Sequence, residues 1–190
     1  MNTKSPNLNI FPIMIQYFSN FITNEECLDI VEKCKTSNFK KHSAFNDNAV
    51  SSHNTGNNLL DNFSKLKKTI VQKVNNYENE LGLKNSKLEN SWINFQYKNS
   101  KLKKHTHPNC QISGVLYLKT DEKSSKIYFY NPNQFVSFLN IKEYNFNNYQ
   151  YVYFHPKVGD LFLFPSWLSH GSHEEENLSE ERVALSFNTR

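Results

Sequence analysis

The feature that most constrains the fold is a change of hydrophobic period at Gly82. Beyond it the chain runs through SWINFQYK, QISGVLYLK, KIYFYN, YQYVYFH, DLFLFPSW and RVALSFN, short aromatic and β-branched segments separated by turn-favouring residues. Segments of this length and content fit strands of a mostly antiparallel sheet. Before Gly82 the period is helical. Thr23 and Glu26 stand at capping-box spacing, and Leu28, Val31 and Cys34 share one face, which predicts a short amphipathic helix over residues 23–35. Leu59, Phe63, Leu66, Ile70, Val74, Tyr77 and Leu81 recur every three or four positions and predict a long helix over residues 59–83 with one buried face. The Asn- and Ser-rich stretch between them, residues 42–58, reads as a loop broken by Gly56. Helices first and short strands afterwards predict an α+β domain, with N-terminal helices bracing one face of a β-sandwich or jelly roll.

A chain of 190 residues suits one core, because two halves would each be marginal. We therefore expect a single domain over residues 1–190, helical over about 1–88 and sheet over about 89–190. Its 15 Phe and 10 Tyr supply the bulk for that core. The net charge of +4 is spread over scattered lysines, apart from Lys101, Lys103 and Lys104, and makes no nucleic-acid footprint. Cys27, Cys34 and Cys110 lack CxxC spacing, which argues against a disulfide framework or cysteine zinc site and for a reducing, cytoplasmic setting. The apolar run near the N-terminus is interrupted by Gln16 and is too short to be a membrane span. Asparagine is the commonest residue, the bias of AT-rich coding, which hints at a phage or small marine bacterium. Oligomeric state leaves no signal.

Four of the seven histidines fall in two short segments, KKHTHPN (103–109) and SWLSHGSH (166–173), and the other three stand apart. In a strand, His105 and His107 project from one face, so two imidazoles can meet one ion. His170, after the strand LFLF and the break at Pro165, can supply a third ligand and complete a facial set with open positions, as in non-haem iron oxygenases. Taken alone, the His-x-His pair reads more simply as a solvated strand edge, and His170 and His173 as a surface turn beside Glu174, Glu175 and Glu176. Arg182 opens the last strand. Its planar, permanently charged fork suits a small dicarboxylate, and its alternative is a surface ion pair with Glu180 or Glu181.

The stretches SWINFQY, HTHPNCQISGVLYL, HPKVGDLFLFPSWLSHGS and RVALSFN, in this order, resemble the 2-oxoglutarate and iron(II)-dependent oxygenases of phages and marine bacteria. The resemblance covers roughly the last half of the chain. It implies a cupin-like double-stranded β-helix in which His105, His107 and His170 hold Fe(II) and 2-oxoglutarate is the cosubstrate. Arg182 would pair with its far carboxylate, and Tyr117 and Tyr97 match tyrosines that point at the cosubstrate, although both are equally ordinary core residues. The expected activity is hydroxylation of an unidentified substrate with release of succinate and CO2. One departure stands out: the wider superfamily has His-x-Asp or His-x-Glu where this chain has His105, Thr106 and His107, which makes the site one charge more positive. Asp160, in the turn before DLFLF, is expected to be structural. Trp167 is either a pocket wall or packing, and the long loop at residues 131–148 is expected to cover the mouth. Two alternatives share the three histidines: a 2-oxoglutarate-independent dioxygenase of the cupin thiol-dioxygenase kind, and a non-catalytic phage accessory module.

Overall fold

The computed structural model describes residues 11–46, 48–53 and 58–190. Gly56 and its neighbours, within the expected loop at 42–58, lie partly outside the described residues. Among the described residues two antiparallel sheets and two α-helices make three layers. The chain begins with β1 (Gln16–Phe18), then α1 (Asn24–Cys34), capped as the sequence implies: the Thr23 hydroxyl accepts from the Glu26 amide and the Glu26 carboxylate accepts from the Thr23 amide. Next comes β2 (Ala49–Ser51). The helical period of residues 59–83 resolves into a 3-10 turn, Leu59–Asn62, and α2 (Ser64–Glu80). The break is at Phe63, whose φ of −129° and ψ of 64° lie outside the helical region.

The six expected strands follow, with two-residue β8 added: β3 (Leu88–Tyr97), β4 (Ile112–Lys119), β5 (Ile127–Tyr130), β6 (Tyr151–Phe154), β7 (Leu161–Pro165), β8 (His170–Gly171) and β9 (Glu181–Thr189). The large sheet has the order β1-β7-β4-β9-β3-β2 and the small one β6-β5-β8. Both edges of the large sheet come from the N-terminal part, so that part is not purely helical. β1 pairs with β7, and β2 with β3.

The side-chain period of two sorts the large sheet into two faces. Ile93, Phe95, Leu116, Leu118, Leu161, Leu163, Val183, Leu185 and Phe187 pack against Cys27, Ile30 and Val31 of α1 and Ile70, Val74 and Tyr77 of α2. Val115, Tyr117, Phe162, Phe164 and Ala184 face the small sheet, where they meet Ile127 and Phe129. Near this second interface the sheets leave a cavity of about 290 Å³. Asp160 is buried in its turn and accepts hydrogen bonds from the Tyr17 hydroxyl and the Lys157 amide, at 3.0 and 2.8 Å, a structural role.

Candidate metal centre

His105 and His107 are not in a regular strand. The segment carrying them makes isolated bridges, Phe45 to Leu102 and His105 to His170. The His105 and His170 backbones exchange both amide–carbonyl bonds at 3.0 Å, and the His107 amide donates to the Ser166 carbonyl at 2.9 Å. These bonds do what a strand ladder would have done. Gly171 makes the close approach possible, because a Cβ there would lie 2.8 Å from the Lys103 carbonyl oxygen and 3.0 Å from that of Leu102. His170 itself is held where β8 pairs with β5, opposite Phe129.

The ring centroids of His105 and His170 are 4.4 Å apart, His105 and His107 5.0 Å, and His107 and His170 5.1 Å. One nitrogen of each lies within 4.8 Å of the others, so the three can hold a metal ion. Burial pushes the His170 imidazole well below its usual pKa, with His105 and His107 adding to the effect. Burial likewise lowers His105, and with the neighbouring imidazoles it brings His107 down to about 3. All three are therefore neutral near pH 7, the form that ligates. The tautomers of two follow from geometry. Nδ1 of His105 lies 2.8 Å from the Lys103 carbonyl oxygen and Nδ1 of His170 lies 2.9 Å from that of Leu168. A carbonyl only accepts, so each Nδ1 carries the proton and each Nε2 presents a lone pair.

Arg182 lines the same cavity, 4% exposed. Gln96 is its cross-strand partner on β3 and accepts from Nη1, while Nη2 donates to the Tyr117 hydroxyl at 3.2 Å and the guanidinium carbon lies 4.8 Å from the Tyr117 ring centroid. Arg182 Nε and Gln96 Nε2 are buried without a hydrogen-bond partner. Among the described residues no carboxylate forms an ion pair with Arg182, and the expected alternatives, Glu180 and Glu181, pair instead with Lys98 and Lys119. A buried cation surrounded by neutral groups and holding spare donors fits an anion arriving from outside the chain. Tyr117 is thus in the cavity, fully buried. Tyr97 is not: it is 41% exposed, on the opposite face of β3 from Gln96.

Three further points concern the cavity wall. Trp167 is 55% exposed and lies outside the cavity wall. No residue of the 131–148 loop lines the cavity, although Phe135, Phe138 and Phe146 are prominent on the surface. Two of the histidines that stand apart in sequence are at the cavity: the His42 and His53 rings are 4.9 Å apart, His53 lies edge-on to Trp92 at 4.6 Å, and Trp92 reaches His107 at 5.8 Å. Nothing in their local sequence marks His42 or His53. Trp92 and Gln96 were legible as the even-numbered face of SWINFQYK.

Comparison with known proteins bears on the fold and the family. No curated protein sequence matches the chain significantly. Solved structures do: a Burkholderia pseudomallei oxidoreductase of the 2OG-Fe(II) oxygenase family shares 11% identity over 92% of this chain and 84% of that one, with a TM-score of 0.67. A Pseudomonas putida prolyl-4-hydroxylase shares 14% over 94% and 92%, with a TM-score of 0.61. HygX from Streptomyces hygroscopicus, solved with nickel and 2-oxoglutarate bound, shares 10% over 93% and 82%, also at 0.61. These likenesses establish the double-stranded β-helix fold. A family model described as 2OG-Fe(II) oxygenase matches residues 90–188, just over half of the chain, and this protein belongs to that family.

Proposed function

We propose that His105, His107 and His170 hold the Fe(II) of this oxygenase, that Arg182 with Tyr117 binds the far carboxylate of 2-oxoglutarate, and that the product is a hydroxylated substrate with succinate and CO2. The single observation that carries this reading is the buried, carboxylate-free Arg182 in one cavity with three neutral imidazoles. When bound, the iron supplies the activation of oxygen that 2-oxoglutarate-dependent oxidation requires. The chain's own residues do the rest. His105 and His170 present Nε2 lone pairs fixed by backbone carbonyls. Arg182 is held on the Tyr117 ring, and its fork can grip a carboxylate from two sides. Phe164, Val115 and Ile127 make the cavity wall apolar and limit water.

The cavity also limits the substrate. Its roughly 290 Å³ is at the low end for ligand sites, so beside the cosubstrate it admits a small molecule or one end of a larger one. Among the described residues that line it none is acidic, so the cavity offers no partner for a cationic group. Among the described residues no helix is long and apolar enough to cross a membrane. The odd number and the spacing of Cys27, Cys34 and Cys110 support a reducing, cytoplasmic setting, and the asparagine-rich composition supports a phage source.

Anaerobic titration of the iron(II)-loaded protein with 2-oxoglutarate tests the reading. A weak visible charge-transfer band is expected, followed by succinate on admission of air, and Arg182→Ala should weaken the band at equal concentration. An unchanged band in that variant refutes the role of Arg182, and iron binding with no band at all refutes the use of 2-oxoglutarate.

A further inference from the structure

His107 stands where the wider superfamily has a carboxylate, and its surroundings differ from those of the other two histidines. Its Nδ1 faces a side chain, the Asn188 amide on β9, at 3.3 Å. Behind Asn188 runs a buried polar chain: Ser113 Oγ lies 2.8 Å from Asn188 Oδ1 and 2.8 Å from Ser166 Oγ. Asn188, Ser113 and Ser166 are 3%, 1% and 0% exposed. Three buried side-chain polar groups in a row between two apolar clusters cost stability unless each is satisfied, so their directions are coupled.

As it stands in the structure, the chain runs toward His107: Ser166 donates to Ser113, Ser113 to Asn188 Oδ1, and Asn188 Nδ2 to His107 Nδ1. A histidine that accepts at Nδ1 carries its proton on Nε2 and has no lone pair there for a metal. Turning the amide by half a circle exchanges Oδ1 and Nδ2 and reverses every bond. His107 Nδ1–H then donates to Asn188 Oδ1, Asn188 Nδ2 to Ser113 Oγ, and Ser113 to Ser166, with no heavy atom moved except the two exchanged. Only this second direction leaves the Nε2 lone pair free.

We propose that Asn188 is the positioning residue for His107, and that the Asn188–Ser113–Ser166 chain reverses direction when a metal ion binds, converting His107 from its Nε2–H to its Nδ1–H form. The His107 proton changes nitrogen and none is gained or lost. This inference rests on the three-histidine metal site proposed above. It differs from the arrangement at His105 and His170, where a backbone carbonyl imposes the ligating tautomer permanently. His107 is the conditional ligand of the set.

The test is long-range 1H–15N correlation spectroscopy of the 15N-labelled protein, stripped by chelator and then loaded with zinc, together with zinc affinity by competition with a chromophoric chelator. In the wild type His107 is expected as Nε2–H before zinc and as Nδ1–H after it. In Asn188→Asp, whose carboxylate can only accept, the Nδ1–H form is expected before zinc is added, with affinity at least that of wild type. In Asn188→Leu, affinity is expected to fall about 10- to 100-fold, the range for a lost partner of a ligating histidine. If Asn188→Leu does not fold, Asn188→Asp alone decides. A His107 tautomer that is the same before and after zinc in the wild type, or is unmoved by Asn188→Asp, overturns the proposal. If zinc leaves the resonances of all three histidines unperturbed, the underlying metal site fails instead, and the proposal with it.

Discussion

Replacing Arg182 with leucine should separate ligand binding from stability in opposite directions. In the free protein the guanidinium is buried with no carboxylate among the described residues, a condition that costs several kcal/mol. Its removal leaves the Gln96 carbonyl without a donor, at about 1–3 kcal/mol. The introduced leucine side chain would still pack on Tyr117, so the ligand-free variant should melt no lower than wild type. With 2-oxoglutarate the order reverses. Truncating one partner of a buried, hydrogen-bonded charge pair costs about 2–5 kcal/mol, or about 30-fold to a few thousandfold in affinity. At a concentration 100 times its Kd, 2-oxoglutarate stabilises the wild type by about 2.7 kcal/mol. At about 2–4 °C per kcal/mol for a chain of this size, Tm rises by about 5–10 °C. In Arg182→Leu, with affinity lowered about 100-fold, the same concentration leaves about 0.4 kcal/mol, a rise of about 1 °C. Thermal shift of the nickel-loaded protein with and without 2-oxoglutarate reads both effects. An equal shift in the two proteins, or a large loss of ligand-free stability in the variant, would refute the reasoning.

Tyr117→Phe removes one donor–acceptor contact with Arg182 and should weaken 2-oxoglutarate by about 2- to 10-fold, the worth of about 0.5–1.5 kcal/mol, whereas Tyr97→Phe should change nothing in the same titration. Gly171→Ala puts a Cβ against the Lys103 and Leu102 carbonyls, so it should cost about 1–3 kcal/mol in urea unfolding and weaken zinc by about tenfold or more as His105 and His170 are forced apart. A variant with wild-type stability would show that the segment yields freely. The metal-free protein should lose stability as pH falls below about 6.5, because the unfolded chain takes up protons that the buried His107 and His170 refuse. For His107 the loss continues down to its folded value of about 3, at about 1.4 kcal/mol per pH unit, and urea midpoints that are flat between pH 6.5 and 4 would contradict it.

Local pattern was enough for most of the elements. The Thr23–Glu26 cap, the helical face of α2 and the six aromatic runs all act through contacts between near neighbours, and these are written in spacing. The same spacing singled out His105, His107, His170 and Arg182, which the tertiary structure gathers in one cavity. Parity within SWINFQYK would also have excluded Tyr97, since it shares the face of Ile93 and Phe95, and would have pointed to Gln96. Other features had no local signal. β1 and β2 are three residues long, too short to show a period, and they are strands only because the edges of β7 and β3 offer hydrogen bonds. The segment 103–107 resembles a strand but is held by single bridges, made possible by a glycine some seventy residues later. His42 and His53 reach the cavity through packing against Trp92 and each other, and Asn188 meets His107 across 81 residues of chain. Sequence alone singled out His105, His107, His170, Tyr117 and Arg182, because their types and intervals are local facts. Only the tertiary structure decided which of them meet, in which tautomer and beside which partners, because those depend on bonds closed between segments distant in the chain.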